Sequence, residues 1–262
     1  MRASVLPFAA RLLLLLALLL PGLPAGAAAP TLVADLSQSR IDISYRFAGA
    51  ELLVFGAIEY PPGGRPGSVP GIAIVIRGPA EPLTVRLKRR IGGIWMNSEA
   101  VRFESAPGFY AVATSAPVEQ LLDERNAAIY EIGLSYLQLS PATAVDPGTS
   151  RAFQDGLLAQ RRRQGLFVEQ PFGVRLTSDV LFRARIPIPS AVPVGDYRAE
   201  IFLIQEGRVR ARATAPIIVD KTGFERATYL FAMNHSFAYG LAAVLMALGA
   251  GFLAGFATLR RA

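Results

Sequence analysis

The feature that most constrains this chain is a long uncharged stretch near its C-terminus. No Asp, Glu, Lys or Arg occurs between Arg226 and Arg260, and the 23 residues from Phe237 to Leu259 contain only Ala, Leu, Gly, Phe, Val, Met, Tyr and Thr. A helix of this length can cross the hydrocarbon core of a bilayer, which is about 30 Å thick. We therefore predict a transmembrane helix over residues 229–259.

The N-terminus predicts a signal peptide over residues 1–27. Arg2 and Arg11 precede an apolar run from Leu12 to Leu20, and Ala25-Gly26-Ala27 supplies the small residues that a signal peptidase reads. We expect cleavage after Ala27, because the apolar run is shorter than the roughly 20 residues that a span requires.

The two ends of the chain predict the same topology. Arg260 and Arg261 follow the predicted helix directly, and positive charge beside a span favours the cytoplasmic side. A cleaved signal peptide places the mature N-terminus on the other side. We expect an inner-membrane protein with residues 28–228 in the periplasm and residues 260–262 as a cytoplasmic tail.

Composition restricts the chemistry of the exported part. The 262 residues include no Cys and one His, His235, which excludes disulfides, thiolate metal centres and most histidine-based catalysis. The formal net charge of +7 falls to +5 without Arg2 and Arg11, but an exported domain meets no nucleic acid. We expect no enzyme, no cofactor and no metal site. Four carboxylates remain as candidates for acid–base chemistry, and no spacing favours them: Glu99, Glu104, Asp179 and Asp196.

Alternation of apolar and polar residues predicts a strand-rich domain. Residues 41–47 and 83–88 alternate with the period of two that is typical of half-buried strands. Pro193-Val194-Gly195-Asp196-Tyr197 resembles the turn that leads into a late strand of immunoglobulin-like sandwiches, where a tyrosine hydroxyl closes the corner. We predict a mainly β fold with an immunoglobulin-like antiparallel β-sandwich. Further strands are predicted at residues 51–59, 71–77, 100–104, 109–114, 166–176, 180–188, 196–205 and 208–219.

The middle of the chain, residues 117–164, predicts a helical insertion or linker. Pro117 suits a first helical turn, and Arg161-Arg162-Arg163 before Gly165 is typical of a helix end. The insertion separates a first β-rich part, residues 28–116, from a second, residues 165–228. The pattern leaves open whether it divides one sandwich or joins two.

Small residues form a stripe along the predicted transmembrane helix. Gly251 and Gly255 make a GxxxG motif, which lets a second helix approach closely. Small residues are also common in spans with no partner, so composition alone is the alternative explanation. The candidate residues for packing against a partner helix are Gly240, Ala243, Ala247, Gly251 and Gly255.

Two features of the exported domain are candidates for a ligand or partner face. Arg208, Arg210 and Arg212 share one face of a predicted strand, and Arg183 and Arg185 share a face of another. Adjacent strands would make these arginines a basic surface for an anion or an acidic partner; otherwise they form an ordinary solvated face.

The only tryptophan, Trp95, follows Gly92-Gly93. An exposed Trp suits a sugar or peptide groove, and a buried one is core packing. His235 stands at the outer end of the span, where either an ion ligand or an interfacial belt of polar and aromatic residues is consistent with the sequence.

Five segments carry a family resemblance: FAGAELLVFG (47–56), GGIWMN (92–97), PGFYAVATS (107–115), LFRARIPIPSAVPVGDY (181–197) and the span at 239–255. Through them the chain resembles an uncharacterised alphaproteobacterial family of transmembrane proteins, which implies an inner-membrane protein of Gram-negative bacteria. Members encoded beside permeases of the sulfite-exporter type point to an accessory subunit, and the family supplies no functional residues.

We therefore expect a non-catalytic accessory or assembly subunit of a multi-span membrane partner such as a transporter. The alternative is a membrane-tethered module that binds an anion or a glycan through the arginine face or Trp95.

Overall fold

A computed structural model describes residues 29–44, 47–62, 69–221 and 224–259, the segments 224–227 and 253–259 by their backbone only. The predicted signal peptide (1–27) and cytoplasmic tail (260–262) lie outside the described residues. The fold is mainly β, with three sheets and a few helices among the described residues.

The strands in chain order are β1 (Thr31–Leu36), β2 (Arg40–Ile43), β3 (Ala50–Glu59), β4 (Gly71–Arg77), β5 (Ala80–Ile91), β6 (Ile94–Pro107), β7 (Tyr110–Thr114), β8 (Phe167–Gln170), β9 (Val174–Thr177), β10 (Leu181–Ile188), β11 (Gly195–Gln205) and β12 (Arg208–Lys221). The helices are α1 (Val118–Leu121), α2 (Glu124–Tyr130), a 3-10 turn (Leu134–Tyr136), α3 (Pro147–Arg163), α4 (Phe224–Asn234) and α5 (Ser236–Leu259).

Two of the sheets combine strands from both sides of the helical middle. The four-stranded sheet has the order β1-β3-β10-β9, and the six-stranded sheet has the order β2-β12-β11-β4-β7-β8. The two β-rich parts of the sequence are thus interleaved. Strands β5 and β6 pair only with each other, as a long hairpin.

The prediction of purely antiparallel pairing is wrong at both edges of the six-stranded sheet. Strand β2 pairs parallel with β12, and β8 pairs parallel with β7. Parallel neighbours need a long crossover connection, and the helical middle between β7 and β8 provides one.

Both larger sheets contribute to one hydrophobic core. Leu52 and Val54 of β3 and Phe182 of β10 join Ala199 and Leu203 of β11 in a single buried cluster. The opposite face of β11 is buried as well, because the helical middle covers it. The six-stranded sheet therefore lies between the four-stranded sheet and the first part of the helical middle, where Tyr130 of α2 contacts Phe202 of β11.

The turn before β11 forms as predicted from the sequence. Tyr197 donates its hydroxyl hydrogen to the carbonyl of Pro193 at 2.6 Å. Burial raises the pKa of this hydroxyl, which keeps it protonated and able to donate.

Two strand predictions need correction. The strand predicted over 166–176 is interrupted by a turn at Phe172, whose φ is 62°, and becomes β8 and β9. Strand β1 was not predicted from the alternation pattern at all, although it pairs along its whole length with β3.

The single helix expected from Pro117 is interrupted at Asp123. The carboxylate of Asp123 accepts a hydrogen bond from the backbone N–H of Asn126 at 2.8 Å and so caps the start of α2. Hydrogen bonds from Asn126 lower the pKa of the Asp123 carboxyl group. Helix α3 starts at Pro147, after its own cap Asp146, and ends in the predicted arginine triplet.

The predicted span at 229–259 falls in two helices separated at His235. Among the described residues, no single helix meets the length and apolarity of a membrane span. A pair of helical segments meets both criteria when taken together, with a bend of 118° between the two: Thr228–Asn234 and Ser236–Phe252.

Candidate functional site

A buried carboxylate, Glu200, lies under the helical middle. Glu200 is 3% exposed and forms ion pairs with Arg77 of β4 and Arg212 of β12. Arg77 also donates to the carbonyl of Tyr130 at 2.6 Å, at the end of α2. The cluster thus links three strands of the six-stranded sheet to the helix that covers them.

A buried tyrosine makes a second link between the sheet and the helical middle. Tyr110 of β7 donates its hydroxyl hydrogen to the carbonyl of Glu131 at 2.6 Å and accepts from the N–H of Gly133 at 3.0 Å. Burial raises the pKa of Tyr110. Because its partners all belong to the chain, we interpret this region as structural.

Two of the three arginines on the predicted face of β12 form ion pairs with carboxylates of the chain. Arg208, Arg210 and Arg212 are exposed. Arg210 pairs with Glu206 at 2.7 Å, and Arg212 pairs with Glu200. The face is therefore close to the solvated alternative considered from the sequence.

Arg183 and Arg185 do not continue that face, because the condition that their strands be adjacent is not met. Both lie on β10 in the four-stranded sheet, whereas β12 belongs to the six-stranded sheet. Arg183 instead lies directly opposite Arg175 of β9. Arg175, Arg183 and Arg185 line an open cavity of about 390 Å³, which sequence analysis missed because it depends on the register between strands.

Trp95 is 67% exposed, so the core-packing alternative is wrong. It lies beside the turn of the β5–β6 hairpin. Its neighbours Ile91, Ile94 and Met96 are also more than half exposed. We call residues 88–97 the hairpin tip.

The small-residue stripe lies on α5. Added Cβ atoms at Gly240 and Gly251 would meet nothing within 4 Å, and Ala243 and Ala247 are exposed. Gly255 belongs to the same helix by its backbone. His235 stands at the bend between α4 and α5, with its ring 5.7 Å from that of Phe231.

The carboxylates considered for catalysis are dispersed over the fold. Glu99 pairs with Arg89 and Glu104 with Arg102, both on the hairpin. Asp179 precedes β10 in the four-stranded sheet, and Asp196 is in β11. Among the described residues, no group of three His, Asp or Glu side chains is arranged to hold a metal ion.

These observations define a mainly β protein with an apolar pair of C-terminal helices. The chain belongs to the family described as "Putative transmembrane protein (Alph_Pro_TM)", which matches residues 31–260. No curated protein matches the sequence. The sporulation control protein Spo0M from Bacillus subtilis shares 10% sequence identity with a TM-score of 0.30, over 79% of this chain and 55% of that chain. The chain thus spans about half of the Spo0M structure, and so distant a likeness supports no inference.

Proposed function

We propose that this protein is a single-pass inner-membrane protein and a non-catalytic accessory or assembly subunit of a membrane partner such as a transporter. Its β domain would be periplasmic and its C-terminus cytoplasmic. For the fold we propose an immunoglobulin-like sandwich, supported by the shared core of the two sheets and by the Tyr197–Pro193 corner.

The observation that supports the proposal is the exposure of the apolar side chains of α5. Its apolar side chains are exposed along the described part of the helix, including Leu245, Leu248 and Phe252. An apolar helix surface left uncovered by the described part of its own chain needs lipid or another helix around it. Membership of a transmembrane family supports the same reading.

The open space at the stripe favours a helical partner over lipid alone. A Cβ added at Gly251 would meet nothing within 4 Å, and Gly255 follows one turn later on the backbone of the same helix. Close backbone approach at such glycines gains van der Waals contact that lipid chains do not match.

We expect Gly251→Leu/Gly255→Leu to abolish co-purification of the partner while expression persists. Two Leu side chains would fill this space and separate the helices. The measurement is crosslinking in native membranes with a tagged full-length chain, followed by mass spectrometry of the captured proteins.

The matched control is Ala238→Leu/Gly249→Leu, which adds similar bulk to the opposite side of α5. Gly249 lies two residues from Gly251, about 200° around the helix. A partner retained by the first variant, or lost equally in both, would contradict packing on the stripe.

A second candidate function is binding of an anion at the four-stranded sheet. Arg175 and Arg183 are directly opposite across β9 and β10, and like charges in that position destabilise a sheet unless something neutralises them. Arg185 lies beside them but pairs with Glu51 at 3.6 Å. The cavity that the arginines line would admit a small oxyanion.

We expect inorganic phosphate at 100 times its Kd to stabilise the full-length protein by about 2.7 kcal/mol, measured by thermal unfolding in detergent. The Arg175→Gln/Arg183→Gln variant should lose this gain, because two of the three guanidinium groups are removed. Arg208→Gln/Arg210→Gln removes the same charge from β12 and should keep it. Equal responses from the two variants would indicate non-specific screening.

A further inference from the structure

We propose that the tip of the β5–β6 hairpin docks on anionic phospholipid headgroups of the membrane that the C-terminal helices enter. This inference concerns lipid contact and goes beyond the proposed partner. It follows from the exposure of the tip, the order of its side chains and the position of its root.

The tip is a ribbon without a core. Every residue from 86 to 100 is exposed, so neither face of this part of the hairpin packs on the domain. Gly92 and Gly93 have φ values of 58° and 89° and form the tight turn that joins the strands. Large apolar side chains so presented to water are unusual unless they meet a partner.

The side chains are ordered along the ribbon. The apolar residues come nearest the turn, where Ile91 pairs with Ile94 and Arg90 lies opposite Trp95. A band of cations, Lys88, Arg89 and Arg90, follows directly behind them.

Within the described residues, only Arg89 of this band forms an ion pair, with Glu99 at 2.8 Å. An apolar end with a basic collar suits an anionic lipid surface, because the apolar groups enter the interface while the cations meet phosphates. Trp prefers this depth of the bilayer.

The root of the hairpin lies at the end of the sheet that is nearest the membrane helices. Strand β4 ends at Arg77, which pairs with Tyr110 at the start of β7, and the hairpin is inserted between these two strands. In the same sheet, Gly195 at the start of β11 pairs with Val219 near the end of β12.

Arg198 in turn pairs with Arg77, so all these strand ends lie at the same end of the sheet, with the start of β11 and the end of β12 extending beyond Arg77. Strand β12 ends at Lys221, and α4 begins at Phe224. The hairpin and the apolar helices therefore leave the domain from the same end.

The test uses Trp95 as its own probe, since the chain contains one tryptophan. The full-length protein is reconstituted in vesicles of brominated phosphatidylcholine, with or without phosphatidylglycerol. We expect the bromines to quench Trp95 strongly only when the anionic lipid is present, and high salt to reverse the quenching.

Lys88→Gln/Arg90→Gln should lower the equilibrium constant for docking of the tip about thirtyfold, because each cation near an anionic surface contributes a factor of about five. Both positions are exposed, so we expect the domain to fold normally, although Arg90 donates a hydrogen bond to the carbonyl of Gly93 in the turn. The matched control, Arg208→Gln/Arg210→Gln, removes two cations from the opposite end of the sheet, beside the β11–β12 turn, and should dock like the wild type.

Two results would overturn the inference. Equal quenching with and without phosphatidylglycerol would mean that the cations do not recognise the lipid. No quenching in either vesicle would mean that the tip faces water or a protein, whether or not α5 binds a partner.

Discussion

Replacing Glu200 by Leu should lower the free energy of unfolding by about 3 kcal/mol, because it removes the nearer counterion of a largely buried arginine and leaves only Glu131, at 3.6 Å. Arg77 is 24% exposed, and its Nε is buried without a hydrogen-bond partner. Loss of Glu200 removes the buried one of the two carboxylates that pair with this guanidinium, and Glu131, which is partly exposed, remains. Urea unfolding of the full-length protein in detergent, followed by circular dichroism of the β domain, measures the change.

The control is an exposed pair of the same type. Glu51 and Arg185 are separated by 3.6 Å and are 62% and 73% exposed. Glu51→Leu should therefore cost under about 1 kcal/mol, as is usual for surface ion pairs. A similar loss in both variants would show that the burial of Glu200 has no special effect.

The double variant Arg77→Met/Glu200→Leu tests the cause of the loss. Replacing both partners of a buried pair by apolar residues is often close to neutral. We expect the double variant to be more stable than Glu200→Leu alone, although the carbonyl of Tyr130 loses its donor. A double variant that is less stable than the single one would contradict an effect of unpaired charge.

The sequence predicts the local features of this fold well. Alternation predicts β10, whose residues are alternately exposed and buried along its whole length. The Pro193–Tyr197 motif predicts a hydrogen bond that the structure contains. Both depend on neighbours in the chain. The helix end at Arg161–Arg163 is local in the same way.

Contacts between distant strands are not predictable by the same reasoning. Arg77 and Glu200 are far apart in the chain and meet only through the register of β4 and β11. The Arg175–Arg183 pair likewise requires the β9–β10 register. Sequence analysis therefore named Arg183 and Arg185 without the strand that lies beside them, and it missed Arg175, which shares their cavity.

The hairpin tip shows a different limit. From Ile91 to Met96 apolar residues occur without alternation, which predicts burial of both faces as readily as exposure of both. Trp95 is exposed because no element among the described residues covers the tip. The bend at His235 is similar, because the apolar run continues through it and hydropathy alone predicts one straight helix.

Replacing Phe103 by Ala should destabilise the base of the hairpin by about 3–5 kcal/mol, the usual effect of removing a buried phenylalanine. Phe103 of β6 is fully buried in a second cluster, separate from the main core, with Phe153 and Leu157 of α3. This cluster attaches α3 to the hairpin. Hydrogen exchange measures it locally through the amide of Ala142, which donates to the carbonyl of Arg102 at 2.7 Å.

Because the second cluster is separate, Phe103→Ala should leave the β11 amides of the main core as well protected from hydrogen exchange as in the wild type. Leu87→Ala, at an exposed position of the same hairpin, is the control and should change neither. Equal loss of protection in β11 would mean that the two clusters unfold as one unit. If the base directs the tip towards the membrane, Phe103→Ala should also reduce lipid quenching of Trp95 without changing any residue of the tip.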